Sequence, residues 1–299
     1  MQDLNAWPAL PLAEWESTRA TLHMWTQIAG KVRLALSPRV NHWWQVPLYV
    51  SARGLTTSAI PYEGQVFEIE FDFGDGNAEI RKSDRETVRV GLYPRSVADF
   101  YREFLAALKT IGVAVEIWPV PVEIANPIRF SDDHQHASYD AEYVKRFHRI
   151  LLQAEIALAE FRGRFIGKAS PVHFFWGSFD LAATRFSGRR APERPGADSI
   201  TREAYSHECS SAGFWPGSGE IAGPAFYSYA APAPEGFASA VARPSEAFYH
   251  SGLGEFILMY DDLRKTASPH TALLEFFQST YEAAAKLGKW DRTNLESIA

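Results

Sequence analysis

The chain has 299 residues, of which 46% are hydrophobic and 22% are charged, and this composition is typical of a packed globular protein rather than a disordered one. Its net charge of −6 argues against broad binding to a nucleic-acid backbone or to an anionic membrane surface, because both need a basic face. The single cysteine, Cys209, cannot form a disulfide within the chain, and no apolar run approaches the ~18 residues of a membrane span, so we expect a cytoplasmic protein.

The first half, residues 1–125, is predicted to contain a helix, several strands and a second helix. Apolar side chains at helical spacing indicate the first helix over residues 12–29. In residues 66–73 apolar residues alternate with acidic ones, which is typical of a strand with one solvated face. Further strands are predicted at 32–36, 43–52, 78–81 and 87–92, and Ser96 is expected to cap a helix over 97–111.

The second half, residues 126–299, repeats this order. A polar loop at 130–140 precedes a long helix over 141–165, whose apolar stripe indicates that one face is buried. Strands are predicted at 172–185, 225–230 and 255–259, with a loop at 187–199 and a short helix or irregular segment at 200–210. The final helix is predicted over 271–287, ending at Gly288.

Several features recur in the same order in the two halves and indicate an internal duplication. In each half, the first helix ends near a Gly-Lys pair and is followed by a His/aromatic cluster. In each half, an arginine also follows a tryptophan at the same spacing along the chain, and a similar helix comes last. The paired segments are 30–31 with 167–168, 41–44 with 173–176, Trp44 to Arg53 with Trp176 to Arg185, and 99–112 with 275–288.

From this order we predict an α+β fold of two related halves, each an antiparallel sheet backed by helices, in a pseudo-two-fold arrangement. The two halves are expected to pack as one compact unit. The crevice between them is the expected place for a small-molecule ligand.

Histidines provide one set of candidate site residues. Imidazole and carboxylate ligands suit Zn or Fe, so a metal cofactor held by His134, His136, His173 and His207 is one hypothesis. No local signature such as His-Glu-x-x-His is present, and a solvated loop explains His134 and His136 equally well.

An enzyme without a metal would use His173 or His207 as a general base, with Glu208 or Asp180 orienting the imidazole. Cys209 is adjacent to Glu208, but a single cysteine is more often a small buried apolar residue than a nucleophile. No glycine-rich phosphate loop is present, so we predict no nucleotide cofactor.

A third set of residues favours ligand binding without catalysis. Arginine beside tryptophan can hold a carboxylate or phosphate and stack on the aromatic ring. For any single tryptophan, burial in the core is the simpler explanation. The candidate ligand-binding residues are Trp44, Arg53, Trp176, Arg185 and Trp215.

Four long motifs resemble a bacterial family known as domain of unknown function 5996. They lie at 22–34 and 41–57 in the first half, and at 170–189 and 203–208 in the second. The resemblance covers nearly the whole chain and implies a single full-length unit. It implies no known activity, so no catalytic role is carried over to a residue of this chain.

These residues lead us to expect an enzyme that acts on a small polar or anionic molecule through a His/carboxylate site, with or without a metal. The alternative is a non-catalytic protein that binds or senses a small ligand in a Trp/Arg-lined pocket. Both hypotheses require distant side chains, above all His173 and His207, to converge on one water-accessible cavity.

Overall fold

The computed structural model describes residues 6–84, 87–219 and 221–297, and it contains two antiparallel six-stranded sheets backed by helices. This confirms the predicted α+β fold. The first half has helices α1 (Leu12–Leu36) and α2 (Val97–Thr110) and strands β1 (Tyr49–Val50), β2 (Gly54–Thr56), β3 (Ile60–Tyr62), β4 (Gln65–Asp72), β5 (Asn77–Lys82) and β6 (Thr87–Gly91).

The second half begins and nearly ends with a long helix, as the first half does. Its helices are α3 (Ala141–Gly163), α4 (Ser199–Ala204), α5 (Tyr260–Leu263), α6 (Pro269–Leu287) and α7 (Arg292–Leu295). Its strands are β7 (His173–Phe175), β8 (Asp180–Arg190), β9 (His207–Trp215), β10 (Ala225–Ala231), β11 (Phe248–His250) and β12 (Glu255–Met259). Short 3-10 turns lie at Asn41–Trp43, Phe130–Asp132 and Phe237–Ser239.

The two sheets meet edge to edge. The first has the order β1-β2-β4-β5-β6 with β3 beside β4, and the second has the order β11-β12-β10-β9-β8-β7. Leu48, next to β1, donates its N–H to the carbonyl of Phe174 in β7 at 2.9 Å, and Phe174 returns a bond of 2.8 Å. One hydrophobic cluster contains buried side chains of both halves, so the division at residue 125 stays a prediction.

The periodic elements were well predicted. Helices α2, α3 and α6 and strands β4, β5, β6, β10 and β12 lie within a few residues of their expected positions. Ser96 caps α2 as expected, because its hydroxyl accepts the N–H of Asp99 at 3.1 Å. Among the described residues, no helix combines the length and the hydropathy needed to cross a membrane.

The acidic residues of β4 do not lie on a simply solvated face. Glu70 and Asp72 are only 9% and 4% exposed. Arg81 pairs with Glu70 and with Glu68, the latter at 2.9 Å, and Arg53 pairs with Asp72. The arginines cover these carboxylates, since a buried charge is costly unless it is paired.

Four expectations for chain segments need correction. The single strand expected at 172–185 is two antiparallel strands, β7 and β8, joined by a turn. Helix α1 continues to Leu36, so residues 32–36 are not a strand. The expected strand at 43–52 is strand only at Tyr49–Val50. The short helix expected within 200–210 is present at Ser199–Ala204, but residues 207–210 already belong to the inner strand β9.

Gly30 lies inside α1 and leaves space for Trp176 of the second half. A Cβ atom on Gly30 would lie 2.4 Å from the indole ring of Trp176. Trp176 is 5% exposed, and its Nε1–H donates to the carbonyl of Val46 at 3.0 Å, so the ring cannot easily move away. Gly30 therefore allows the Trp176 ring to pack directly on α1. The glycine does not end the helix, although the sequence had suggested that it would.

We predict that Gly30→Ala destabilises the protein by about 1–3 kcal/mol, because the added methyl group overlaps the buried indole. Denaturant unfolding measures this difference. Gly163→Ala, at the end of α3, is the control, because nothing lies within 4 Å of the position that its Cβ would take. It should be neutral or stabilising by up to about 1 kcal/mol. Equal stability of Gly30→Ala and the wild type would contradict the packing argument.

Candidate functional site

The structure does not bring His173 and His207 to one cavity. His173 is fully buried in β7, and its ring centroid lies 5.5 Å from that of Tyr49 and 6.1 Å from that of Trp44. Burial and, to a smaller extent, the charges of Arg33 and Arg162 together lower the pKa of His173 to about 3. Both ring nitrogens lack a hydrogen-bond partner among the described residues. His173 is therefore a neutral side chain of the packed junction between the sheets.

The four histidines proposed as metal ligands do not form a shared site. His134 is exposed, and Nδ1 of His136 lies 2.7 Å from Oδ2 of Asp133 within the same loop. Within residues 6–84, 87–219 and 221–297, no group of three or more His, Cys, Asp or Glu side chains is arranged to hold a metal. The expected set of His134, His136, His173 and His207 is thus not assembled.

Glu208 and Cys209, which follow His207, have structural roles. Glu208 accepts hydrogen bonds from Arg189 at 2.7 Å and from the hydroxyl of Ser187 at 2.9 Å. Because side chains alternate along a strand, Glu208 points to the opposite face from His207 and cannot orient its imidazole. Burial raises the pKa of the Cys209 thiol to about 12, so it provides no thiolate at neutral pH.

The two arginines that were predicted to bind a ligand contact other side chains of the protein instead. Arg53 pairs with Asp72 and, at 2.8 Å, with Asp75. Arg185 is 1% exposed, and its guanidinium carbon lies 3.5 Å from the ring centroid of Phe161. Burial lowers the pKa of Arg185 to about 9. This arginine fills an aromatic cage in the core and does not reach a ligand from there.

The three candidate tryptophans have different surroundings. Trp176 is buried against α1. Trp44 is half-buried and stacks on His42, with 5.2 Å between the ring centroids. Trp215 lies at the end of β9 and lines a cavity. Only Trp215 joins another of the predicted site residues, Asp180, in the wall of the same cavity.

This cavity, which we call the carboxylate cavity, has a volume of about 350 Å³. It lies on the face of the second sheet that is turned away from α6, since Phe226 packs on Phe277 of α6 while its strand neighbour Tyr227 points the other way. Its wall combines carboxyl groups, aromatic rings and aliphatic side chains. The lining residues are Glu123, Ser178, Asp180, Tyr205, Trp215, Ala225, Tyr227, Tyr229, Leu253, Glu255 and Ile257.

A small residue in the sheet allows the tyrosine–carboxylate contact at the base of this cavity. Gly213 pairs with Tyr227 across β9 and β10, and a Cβ atom on Gly213 would lie 2.5 Å from the tyrosine hydroxyl oxygen. The Tyr227 ring can therefore lie over the sheet and donate its hydroxyl proton to Asp180. The hydroxyl of Ser178 donates to the other oxygen of Asp180.

Two further tyrosines extend the aromatic wall. The rings of Tyr227 and Tyr229 stack with 6.2 Å between centroids and 13° between planes. The hydroxyl groups of Tyr229 and Tyr205 lie 2.9 Å apart. The alternation of β10 places Tyr227 and Tyr229 on one face, so the wall follows directly from the strand.

The carboxyl groups of the cavity bind protons more tightly than ordinary side chains do. Burial and, to a smaller extent, the negative charge of Asp180 together raise the pKa of Glu255 to about 7. Burial also raises the pKa of Asp180, against the opposite effect of the hydrogen bonds from Ser178 and Tyr227. Glu255 can therefore both accept and donate a proton near neutral pH.

Sequence reasoning missed four important residues of this wall. Tyr227 and Tyr229 carried a usable signal, because their spacing in the predicted strand places both on one face. Glu255, at the start of a predicted short strand, and Glu123, in an irregular segment, carried none. Their approach to Asp180 depends on how the chain folds back on itself.

A family model described as "Family of unknown function (DUF5996)" matches residues 7–297, which include every residue that lines the carboxylate cavity. No curated protein and no solved structure matches the chain.

We predict that Glu255→Gln reduces the loss of stability between pH 5 and pH 8. The folded-state pKa of about 7 exceeds the ordinary value of 4.5, so protonated Glu255 contributes stability that is fully present below about pH 4.5 and is lost as the pH rises through 7. The effect is at most about 3 kcal/mol. Denaturant unfolding at several pH values measures it. The exposed Glu275 offers a control, Glu275→Gln, and equal pH slopes in both variants and the wild type would argue against the raised pKa.

Proposed function

The chain belongs to the DUF5996 family of unknown function, and we propose that it is an enzyme whose carboxylate cavity binds a small polar molecule that carries a protonated amine. The observation that carries the proposal is that Asp180 and Glu255 line one aromatic cavity, in which the charge of Asp180 opposes the ionisation of Glu255. Deep, largely apolar cavities with a few convergent polar groups of perturbed pKa are typical binding sites.

The charge of the substrate follows from the wall. A cation placed between Asp180 and Glu255 would offset their mutual repulsion and favour the ionised form of both. Aromatic faces also attract cations, and the face of Tyr205 already holds the Arg194 guanidinium at 4.0 Å. The volume of about 350 Å³ is in the range of sites for small molecules.

Two of the three carboxyl groups in the wall, Asp180 and Glu255, would have different roles. Asp180 is held in place by hydrogen bonds from Ser178 and Tyr227, so it suits the binding and orientation of an ammonium group. Glu255 has a pKa near 7, which suits proton transfer to and from a substrate at neutral pH. A carboxylate site thus replaces the histidine site expected from the sequence. The cytoplasmic location and the lack of a nucleic-acid partner rest on composition and stay part of this proposal.

We predict that small primary amines and quaternary ammonium ions bind more tightly as the pH rises from 5.5 to 8, because Glu255 ionises in this interval. Tryptophan fluorescence, with Trp215 in the cavity wall, and calorimetry measure the affinity. Glu255→Gln should weaken binding about tenfold and remove most of the pH dependence, because one charge-assisted contact is lost. Glu275→Gln should leave both unchanged.

Neutral alcohols of the same shape separate charge recognition from simple apolar binding. If they bind as tightly as the amines, the proposed substrate class is wrong. Product formation followed by NMR then tests for catalysis. An enzyme is supported if the wild type turns over a saturating amine and Glu255→Gln does not. Binding without turnover favours the alternative of a ligand-binding or sensing protein.

A further inference from the structure

A second cavity, which we call the cationic pocket, lies between residues from both halves of the chain and has a volume of about 450 Å³. The 3-10 turn at Asn41–Trp43 supplies His42 from the first half. Arg190 and His207, which pair across β8 and β9, come from the second half. The carboxylate cavity is a separate space, because the two cavities share no lining residue.

The charge of this pocket is opposite to that of the whole chain. Lys168, Arg190 and Arg202 line it, and in the described part of the chain none of the three forms an ion pair with a carboxylate. The one carboxylate in the wall, Glu203, is paired with Arg39 and accepts the backbone N–H of His42 at 3.2 Å. Its charge is therefore already offset, and the positive charges face the cavity in excess.

Two imidazoles complete the wall. Nδ1 of His42 lies 3.2 Å from the carbonyl oxygen of Ala204 and so carries the proton, while Nε2 accepts from Nζ of Lys168 at 2.7 Å. The ring of His207 meets that of His42 edge to face, with 5.6 Å between centroids. Nδ1 of His207 lies 3.0 Å from the hydroxyl oxygen of Ser206.

The surroundings of both imidazoles oppose their protonation. Burial lowers the pKa of His42, and the charge of Lys168 and the ring of His207 lower it further, against the effect of hydrogen bonds with Ala204 and Glu203. Burial, Lys168 and Arg190 lower the pKa of His207. The backbone adds a further constraint, because His42 and Trp43 both adopt the left-handed conformation, with φ of 56° and 59°. Such strain in non-glycine residues concentrates at functional sites.

We infer that the cationic pocket binds a phosphate group, either as inorganic phosphate or as the phosphate of a small monoester. Guanidinium groups bind phosphate oxygens in pairs, and an ammonium group adds a point charge. Arg190, Arg202 and Lys168 provide both kinds of donor around one space. The volume of about 450 Å³ also leaves room for an organic group attached to the phosphate. This inference does not depend on the amine-binding function proposed above.

The test is a titration of the full chain with sodium phosphate at pH 7.5 and constant ionic strength, followed by NMR of the imidazole signals. We expect the signals of His42 and His207, assigned with His42→Gln and His207→Gln, to shift toward the protonated form, because a bound dianion raises both pKa values. Lys168→Met and Arg190→Gln should each weaken binding about tenfold or more. Arg102→Gln on α2 removes an exposed charge of the same sign and should change nothing.

Phenyl phosphate in place of inorganic phosphate distinguishes the two sources of the group. Tighter binding of the monoester would indicate that the rest of the cavity holds its organic group. Equal binding of the two probes would indicate a site for free phosphate. Imidazole signals that respond no more to either probe than to chloride at equal ionic strength would overturn the inference. Equal losses in Arg102→Gln and Lys168→Met would overturn it too, because they would indicate general screening and not a site.

Discussion

The backbone bridge between Leu48 and Phe174 joins the two sheets, and residues from both of the joined halves line the cationic pocket. These two residues exchange hydrogen bonds of 2.9 and 2.8 Å and join the edge of the first sheet to the edge of the second. The 3-10 turn Asn41–Trp43, which precedes Leu48, lies close to the end of β8 and the start of β9. Backbone groups buried at a sheet edge need partners, so this junction has a strong preference for one register.

Removal of water from charged groups is the cause common to most of the perturbed side chains. It raises the pKa of Glu255 and Cys209 and lowers that of His173 and Arg185, because burial always disfavours the charged form. The groups differ in the side chains that surround them. Arg185 lies among aromatic rings of the core, whereas Glu255 lines a cavity together with Asp180 and Glu123, and the proposed function rests on the latter arrangement.

Net charge was a poor guide to local charge in this protein. A value of −6 argues against an extended basic surface, yet three cationic side chains from separate segments line one pocket. Likewise, Asp180 was recognised as a candidate from its polar–aromatic segment, but its partner turned out to be Tyr227 and not a histidine. The residue types around the sites could be read from the chain, while their grouping could not, because grouping depends on contacts between distant segments.

The sequence by itself determined the α+β class, the helices α2, α3 and α6, and the alternating strand β4, because helical and strand periodicities are local properties of the chain. Tertiary structure decided the rest. Packing of Trp176 on α1 requires a glycine at position 30, inside the helix, and pairing on both sides makes an inner strand of β9 despite its small residues. The approach of Glu255 and Tyr227 to Asp180 likewise comes from strand order, since it joins side chains that no local pattern connects.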